Sequence, residues 1–377
     1  MSYIGGSFEF NPDLIYAPEV EDVNDQIGIS KDKVYWTKSG RSSFALALKH
    51  WQKKLTNGWL LMPDYQCWDV LSVFENIDKK FIAVNEDLKI EISDLNKFLK
   101  DKNLHGVVLI DYFGLTDLEP YIECIKSARP DVLIIVDAVQ AFLSIVLSEN
   151  LYKGADAVIS SPRKFLPIPD GGLIVFKNKK PKYNFPKNNL DDQISLYVSA
   201  GILKDVIFKS SFDDAAFSCI ESTYLNLFDR HRKLFNNDIG QISNLSLEII
   251  KRTNLKSLAE KRLKNFKFIS DAFKDNKYEN FLTPLNKDFS GPGIIFPLRV
   301  NSKHRDPLRE YLKSKGIFCP VHWPILQGQI PQLGKSSMLL SKEILGLPID
   351  QRYHENDLMK IKKEIDKYFR RKSNESL

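Results

Sequence analysis

Cysteine is scarce in this chain of 377 residues, and the four present, Cys67, Cys124, Cys219 and Cys319, lie far apart. With no CxxC pair among them, they speak against a disulfide framework or a structural zinc site and read as plain thiols in a reducing compartment. Long apolar runs are also missing. The longest, at 132–136 and 293–296, are of strand length and far below the roughly 20 residues that span a bilayer, so no membrane insertion is expected. The start of the chain lacks a basic segment followed by an apolar one, so no signal peptide is indicated and the cytoplasm is the default location. Glycine and proline, 18 of each, are too few for a fibrous or linker-rich protein, and no repeat of fixed period is visible. The excess of positive charge is only +6, without a basic motif interleaved with aromatics. No nucleic-acid partner is expected, and a small anionic ligand suits the charge as well.

What is present is an ordinary globular composition, 43% hydrophobic and 27% charged, long enough for one large α/β domain and a smaller one. Residues 1–30, with Pro12, Pro18 and many acidic side chains, read as an arm laid across something larger. From residue 31 to 240, short continuous apolar runs at 59–62, 80–84, 107–111, 132–136, 157–160 and 173–176 alternate with helical stretches such as 44–51 and 119–128. That alternation predicts a mostly parallel sheet covered by helices on both faces. The stretch 184–235 is less regular and reads as loops and helices outside the sheet. Residues 241–377 begin with one long amphipathic helix, 243–273, suited to joining two domains. Strands at 294–298 and 317–321 and helices at 307–315 and 355–370 follow, an α+β pattern for a small terminal domain.

The most informative stretch is Ile134-Ile-Val-Asp137-Ala-Val-Gln140, followed 27 residues later by Lys164 in Ser160-Ser-Pro-Arg-Lys164-Phe-Leu-Pro-Ile-Pro-Asp170-Gly-Gly172. A carboxylate closing a buried strand is costly unless a cation compensates it, either a structural Arg or Lys or a cationic ligand. Lys164 stands in a rigid, proline-rich turn, where it is either a loop ion pair or a desolvated amine of lowered pKa. Pyridoxal 5′-phosphate needs this pair: an amine for its aldehyde and an anion that keeps the ring nitrogen protonated. Gln140 either presents its amide to the same ring, at the 3-hydroxyl, or lies on a helix surface. Ser39-Gly40-Arg41-Ser42-Ser43 opens the first long helix, and a glycine-and-hydroxyl turn at a helix amino terminus offers N–H groups and a favourable dipole to a dianion. Ser160 or Ser161 offers a further phosphate hydroxyl. Tyr65, Cys67 and Trp68 follow the strand at 59–62, where they either flank a cofactor ring or pack in the core.

In this order, Ser39-Gly-Arg-Ser-Ser43, Pro63-Asp-Tyr-Gln-Cys67, Asp111-Tyr-Phe-Gly114 with Asp117, Asp137-Ala-Val-Gln140, and Ser161-Pro-Arg-Lys164 with Gly171-Gly172, the chain resembles the DegT/DnrJ/EryC1/StrS aminotransferases of fold type I. The likeness runs over about 34–369 and includes Ile242-Ser-Asn-Leu-Ser-Leu-Glu248, Gly316-Ile-Phe-Cys-Pro-Val-His322-Trp-Pro324, Leu347-Pro348 and Glu355-Asn-Asp357. It implies an α/β fold, a seven-stranded, mostly parallel sheet between helices with a small α+β carboxy-terminal domain. It also implies a homodimer with active sites between subunits, and transfer of an amino group from L-glutamate to a keto group of a nucleotide-linked sugar, in amino-deoxysugar or surface-polysaccharide synthesis. Lys164 and Asp137 are then the catalytic pair. A family variant that removes a sugar hydroxyl carries His at this lysine, and Lys164 argues against that reaction. No metal is called for.

Two departures stand out. The segment before Lys164 is one residue shorter than the usual Ser-x-x-Pro-x-Lys. Where many members carry Asn-Tyr-Arg-Met, reaching the partner's cofactor phosphate, this chain has Ile239-Gly-Gln-Ile242: either another residue supplies that contact, Arg41 being the cationic candidate, or the cofactor is held less tightly. A rival reading, a fold type I enzyme acting on an amino acid or another ketone, requires an arginine fork for a carboxylate, with Arg299 or Arg305 to supply it. A third is a cofactor-binding regulatory protein without turnover. His322 either contacts substrate or packs.

Overall fold

The computed structural model describes residues 3–148, 152–186, 190–275, 277–285, 291–324 and 334–375. The apolar runs form the strands β2 (Val34–Thr37), β3 (Trp59–Pro63), β4 (Lys79–Ile82), β5 (Leu104–Ile110), β6 (Leu133–Ala138), β7 (Ala157–Ser160) and β8 (Gly172–Phe176), after a two-residue β1 (Ile4–Gly5). β2 to β8 make one sheet in the order β2-β8-β7-β6-β5-β3-β4. β8 runs antiparallel to both neighbours, and the pairs from β7 across to β4 are parallel. Every residue of β3 and β6 is buried, as strands covered on both faces require.

This topology fixes where chemistry can occur. The carboxyl ends of β2, β3, β5, β6 and β7 meet at one edge of the sheet, the edge at which open α/β sheets bind ligands. Because β8 is reversed, its first residue, Gly172, lies at the same edge, paired with Thr37 at the end of β2. A Cβ built on Gly172 would stand 2.4 Å from the Ser39 carbonyl oxygen and 2.6 Å from the Gly40 nitrogen, so only glycine lets β8 start against the Gly40–His50 helix.

The carboxy-terminal part is built on β9 (Leu282–Pro284), β10 (Phe296–Val300) and β12 (Ile344–Leu347), antiparallel in the order β12-β10-β9, while β11 (Ile317–Phe318) pairs in parallel with β1. Helices Ser302–Ser314, Lys335–Glu343 and Glu355–Glu375 accompany them. The first residues of the chain are therefore stitched to its last third. The Gly5 N–H donates to the Tyr353 hydroxyl at 2.5 Å, and the Glu9 carboxylate meets Lys204 at 2.7 Å and Arg352 at 3.0 Å.

One segment differs from the sequence reading. The expected helix at 243–273 is two helices, Asn244–Lys251 and Leu255–Ala272. Ser243 and Asn254 each accept a backbone N–H three residues on, so a second capping residue restarts the helix inside what reads as one pattern. The irregular middle contains two long helices, Asp191–Lys209 and Asp214–Lys233. The buried side of the first includes Gln193, Gly201 and Lys204, which hides its apolar period.

Candidate active site

β6 delivers Asp137 to the sheet edge. It is 6% exposed and accepts one hydrogen bond, from the Val139 N–H at 3.1 Å. Burial pushes its carboxyl up to about 6 against the pull of that N–H and the charge of Lys164. Lys164 ends the single turn Pro162–Lys164 that follows β7, anchored by the buried Phe165 and Leu166, whose N–H groups donate to the Pro162 carbonyl. Burial lowers the pKa of its amine, Cys67 and Asp137 raise it, and Arg163 beside it lowers it again. The two opposite charges thus act on each other at a largely buried edge, where each counts for more than in water.

Gln140 lies 2% exposed beside them. Its Oε1 accepts the Phe113 N–H at 3.1 Å, and its Nε2 is buried without a hydrogen-bond partner. An unpaired buried amide costs about 1–3 kcal/mol, so this donor has unused capacity among the described residues. The Gly40–His50 helix ends at the same edge. Ser39 caps it by accepting the Ser42 N–H at 3.1 Å, and the first turn-closing bond is Ser43 N–H to the Ser39 carbonyl. The N–H groups of Gly40 and Arg41 precede that bond and have no intrahelical acceptor.

The remaining predicted residues occupy less open positions. The Ser42 hydroxyl is tied to the Gly240 backbone, donating to its carbonyl at 3.2 Å and accepting its N–H at 2.8 Å. Ser160 and Ser161 spend their hydroxyl hydrogens on the carbonyls of Ala138 and Gly171, both at 2.7 Å. Cys67 adjoins Lys164; burial pushes its thiol up, while the lysine charge draws it down. Tyr65 packs against Tyr112 and Trp323, and its hydroxyl donates to the His322 carbonyl. Trp68 begins a short helix, its Nε1 buried without an acceptor. His322 lines a cavity of about 180 Å³ with Lys164, Arg262, Asp350, Arg352 and Gly6. Burial and the nearby Lys164 hold its imidazole down at about 3, so it is neutral at physiological pH.

Arg41 donates to the Phe235 carbonyl at 2.9 Å. Arg299 is bound to Glu343 at 2.6 Å and to Glu86, and Arg305 to Asp306 at 2.6 Å and the carbonyls of Ser341 and Ile344. Both are committed: Arg305 within the carboxy-terminal part, and Arg299 between Glu343 there and Glu86 of the large sheet's side.

Several site residues were missed in the sequence. The arm contributes Gly5, Gly6 and Phe8 to the Lys164 cavity; the Gly5-Gly6 pair was the available signal, since both adopt positive φ. Trp323 lies within 6.5 Å of the rings of Tyr65, Tyr112 and Phe113. Asp111, behind Asp137, accepts from the Tyr152 hydroxyl at 2.5 Å, a partner no motif spacing reveals. Ile239–Ile242, which stands where many family members carry Asn-Tyr-Arg-Met, pairs with the end of β2: Lys38 N–H donates to the Gly240 carbonyl, and Thr37 bridges Gln241.

Solved structures share this arrangement of elements. Helicobacter pylori PseC, an aminotransferase involved in the biosynthesis of pseudoaminic acid, superposes with a TM-score of 0.66 over 98% of this chain and 100% of its own, at 16% identity. A DegT DnrJ EryC1 StrS aminotransferase from Brucella abortus gives 0.62 over 96% and 91%, at 14% identity. DesV from S. venezuelae gives 0.62 over 97% and 91%, also at 14%. The chain has the fold of the DegT/DnrJ/EryC1/StrS aminotransferases. The reversed strand β8 inside an otherwise parallel seven-stranded sheet, with the small antiparallel sheet behind it, is this aminotransferase fold, as the sequence motifs implied. No family model and no curated protein matches the chain, so the likeness found rests on architecture.

Proposed function

We propose that this protein is a pyridoxal-phosphate-dependent aminotransferase. It takes an amino group from an amino acid, L-glutamate first among the candidates, and gives it to a keto group of a nucleotide-linked sugar. The observation that carries the reading is the meeting of Asp137, Lys164 and the unpaired Gln140 amide at one sheet edge. These residues fit the cofactor. Asp137 would hold the ring nitrogen, Gln140 Nε2 has a free donor for the ring oxygen, Lys164 would hold the aldehyde carbon, and the N–H groups of Gly40 and Arg41 would hold the phosphate. Bound there, pyridoxal phosphate supplies an electron sink that no side chain provides.

The chain's own groups supply the rest. The Lys164 amine, whose pKa burial lowers, would accept a proton from the substrate α-carbon and deliver it to the carbon on the far side of the transferred nitrogen. The Asp137 carboxylate keeps the ring nitrogen cationic throughout. The neutral His322 and the Tyr65–Trp323 wall orient the substrate and keep water from the dry edge.

A sugar acceptor is supported by the sugar aminotransferases of the same fold and by the commitment of Arg299 and Arg305, which leaves the rival's carboxylate fork without those residues. The homodimer and the cytoplasmic setting are part of the same proposal. The test is the visible absorption spectrum of protein mixed with pyridoxal phosphate, before and after excess L-glutamate. Formation of a band that L-glutamate then removes supports amino transfer, a band indifferent to every amino acid supports the regulatory reading, and no band refutes the cofactor.

A further inference from the structure

Arg262, on the Leu255–Ala272 helix, is 1% exposed and still not fully paired. Its Nε donates to the Gln351 Oε1 at 2.8 Å, and its Nη1 to the carbonyls of Gly293 and Ile294 at 3.2 and 3.3 Å. Among the described residues its Nη2 donates to none. A closed set of contacts holds the group beside the Lys164 turn. The guanidinium carbon lies 4.8 Å from the centre of the Phe165 ring, and Gln351, which accepts from Nε, donates from its own Nε2 to the Phe165 carbonyl at 2.7 Å. Phe165 directly follows Lys164, and Arg262 and Lys164 line the same cavity. Burial is the largest influence on Arg262 and brings its pKa down to about 10, which Asp350 opposes and Arg352 reinforces.

The nearby carboxylates do not balance this group. Both oxygens of Asp350 are taken by Arg352, whose Nε and Nη2 donate to them at 2.8 and 2.9 Å. Glu9 is shared between Arg352 at 3.0 Å and Lys204 at 2.7 Å. Arg262, Arg352 and Lys204 thus meet two carboxylates, and among the described residues Arg262 is the member of this cluster without an ion pair. A buried charge in that state is costly, and a guanidinium with a donor to spare matches a carboxylate. The cavity measures about 180 Å³, below the roughly 300 Å³ at which pockets for drug-sized ligands begin, so it suits a small acid rather than a nucleotide-linked sugar. Much of its remaining lining is apolar, with Phe8 from the arm and Ile295, Phe318 and Pro348 from the carboxy-terminal part. Such walls cover a short methylene stem; a carboxylate borne directly on the reacting carbon has no stem to place against them.

We propose that Arg262 determines donor specificity: its free Nη2 receives the distal carboxylate of a dicarboxylic amino acid whose amine lies at Lys164, in a cavity that the amino-terminal arm helps to wall. The identification of that acid as the amino donor rests on the function proposed above. Arg352 is then a positioning residue, because by occupying Asp350 and Glu9 it keeps both carboxylates from neutralising Arg262.

The experiment follows the loss of the cofactor band when the full chain, loaded with pyridoxal phosphate, meets L-glutamate, L-glutamine or L-alanine. Wild type should prefer L-glutamate to L-glutamine by about tenfold or more in kcat/KM. In Arg262→Met the loss of a charge-assisted contact predicts an increase of about 10- to 100-fold in KM for L-glutamate, with kcat little changed. KM for L-alanine, which has no distal carboxylate, should stay as it was, and Arg262→Lys should recover part of the loss. A second readout needs no turnover: glutarate should raise the thermal midpoint of the wild-type chain without cofactor and fail to do so in Arg262→Met. Equal losses for L-alanine and L-glutamate would place the α-carboxylate at Arg262, or report general damage, and overturn the assignment. If Arg262→Met does not fold, the wild type still decides, since equal use of L-glutamine and L-glutamate overturns the proposal. A chain that forms no cofactor band, yet is stabilised by glutarate through Arg262, would refute the aminotransferase while leaving the carboxylate site standing; no response to glutarate removes the site.

Discussion

The Tyr65 hydroxyl donates to the main-chain carbonyl of His322, joining the loop after β3 to the carboxy-terminal part across the cavity that holds Lys164. Tyr112 continues the chain of contacts by donating to the Tyr65 carbonyl at 2.6 Å. Tyr65→Phe keeps the ring against Trp323 and leaves the His322 carbonyl unpaired, which costs about 1–3 kcal/mol. Urea denaturation measures that loss. The same variant should raise KM for the acceptor more than it lowers kcat, because it loosens a wall without touching the amine.

Lys164→Ala removes the amine on which the reaction turns. The fold should persist, since the neighbouring anchors Phe165 and Leu166 are untouched, and release of 2-oxoglutarate from L-glutamate in a single turnover should fall by on the order of 10²–10⁴-fold. Turnover equal to wild type would refute the mechanism.

Asp137 makes cofactor affinity depend on pH in a definite direction. Its carboxyl sits at about 6, so it gains a proton as pH drops below that value and loses the charge that pairs with a cationic ring. Affinity for pyridoxal phosphate should decline as pH falls through about 6. Asp137→Asn should bind without that dependence and lose most of its turnover, as titrations at several pH values and single-turnover rates would show.

Asp111 should set a slope in stability. Burial lifts its carboxyl from the ordinary 3.8 to about 7, against the Tyr152 hydroxyl and the N–H groups of Thr116 and Leu115. Between about pH 4 and pH 7 the folded chain holds this proton and the unfolded chain does not, so stability falls as pH rises through that window. Asp111→Asn, compared with wild type by thermal melting across the window, should flatten the slope.

Ser243 and Ser246 hold Asp170 in the core. Ser243→Ala removes one hydroxyl from the carboxylate and the cap of the Asn244–Lys251 helix together, and should cost about 1–3 kcal/mol; Ser246→Ala loses only the first of these and should cost less. Denaturation midpoints would give the order.

Much of the large domain was legible because its strands are short, apolar and bounded by turn residues: Trp59–Pro63 and Ala157–Ser160 stand out without help from neighbours. Asp137 and Lys164 were legible because a carboxylate after four buried apolar residues and a lysine between prolines are each anomalous locally. What escaped depended on distant partners. Nothing near Tyr152 announces Asp111, 41 residues away, and the arm's place beside Lys164 follows from its pairing with β11, more than 300 residues on. The bounds of the Asp191–Lys209 helix were not legible because Gln193 and Lys204 face inward, against the usual sign of burial.

The reversed strand β8 also sets the order in which the molecule can be assembled. Among the described residues β2 is hydrogen-bonded to the sheet through β8, with Thr37 opposite Gly172, so the hydrogen bonds that fix the chain before the helix end relative to Asp137 are complete when residue 176 has been synthesised and docked. Closing a loop of this length is slow compared with forming the local β3–β4 pair. On the ribosome, capture of a phosphate at that helix end would therefore mark the completion of the large domain rather than its nucleation, and the nascent chain should become ligand-responsive late and abruptly.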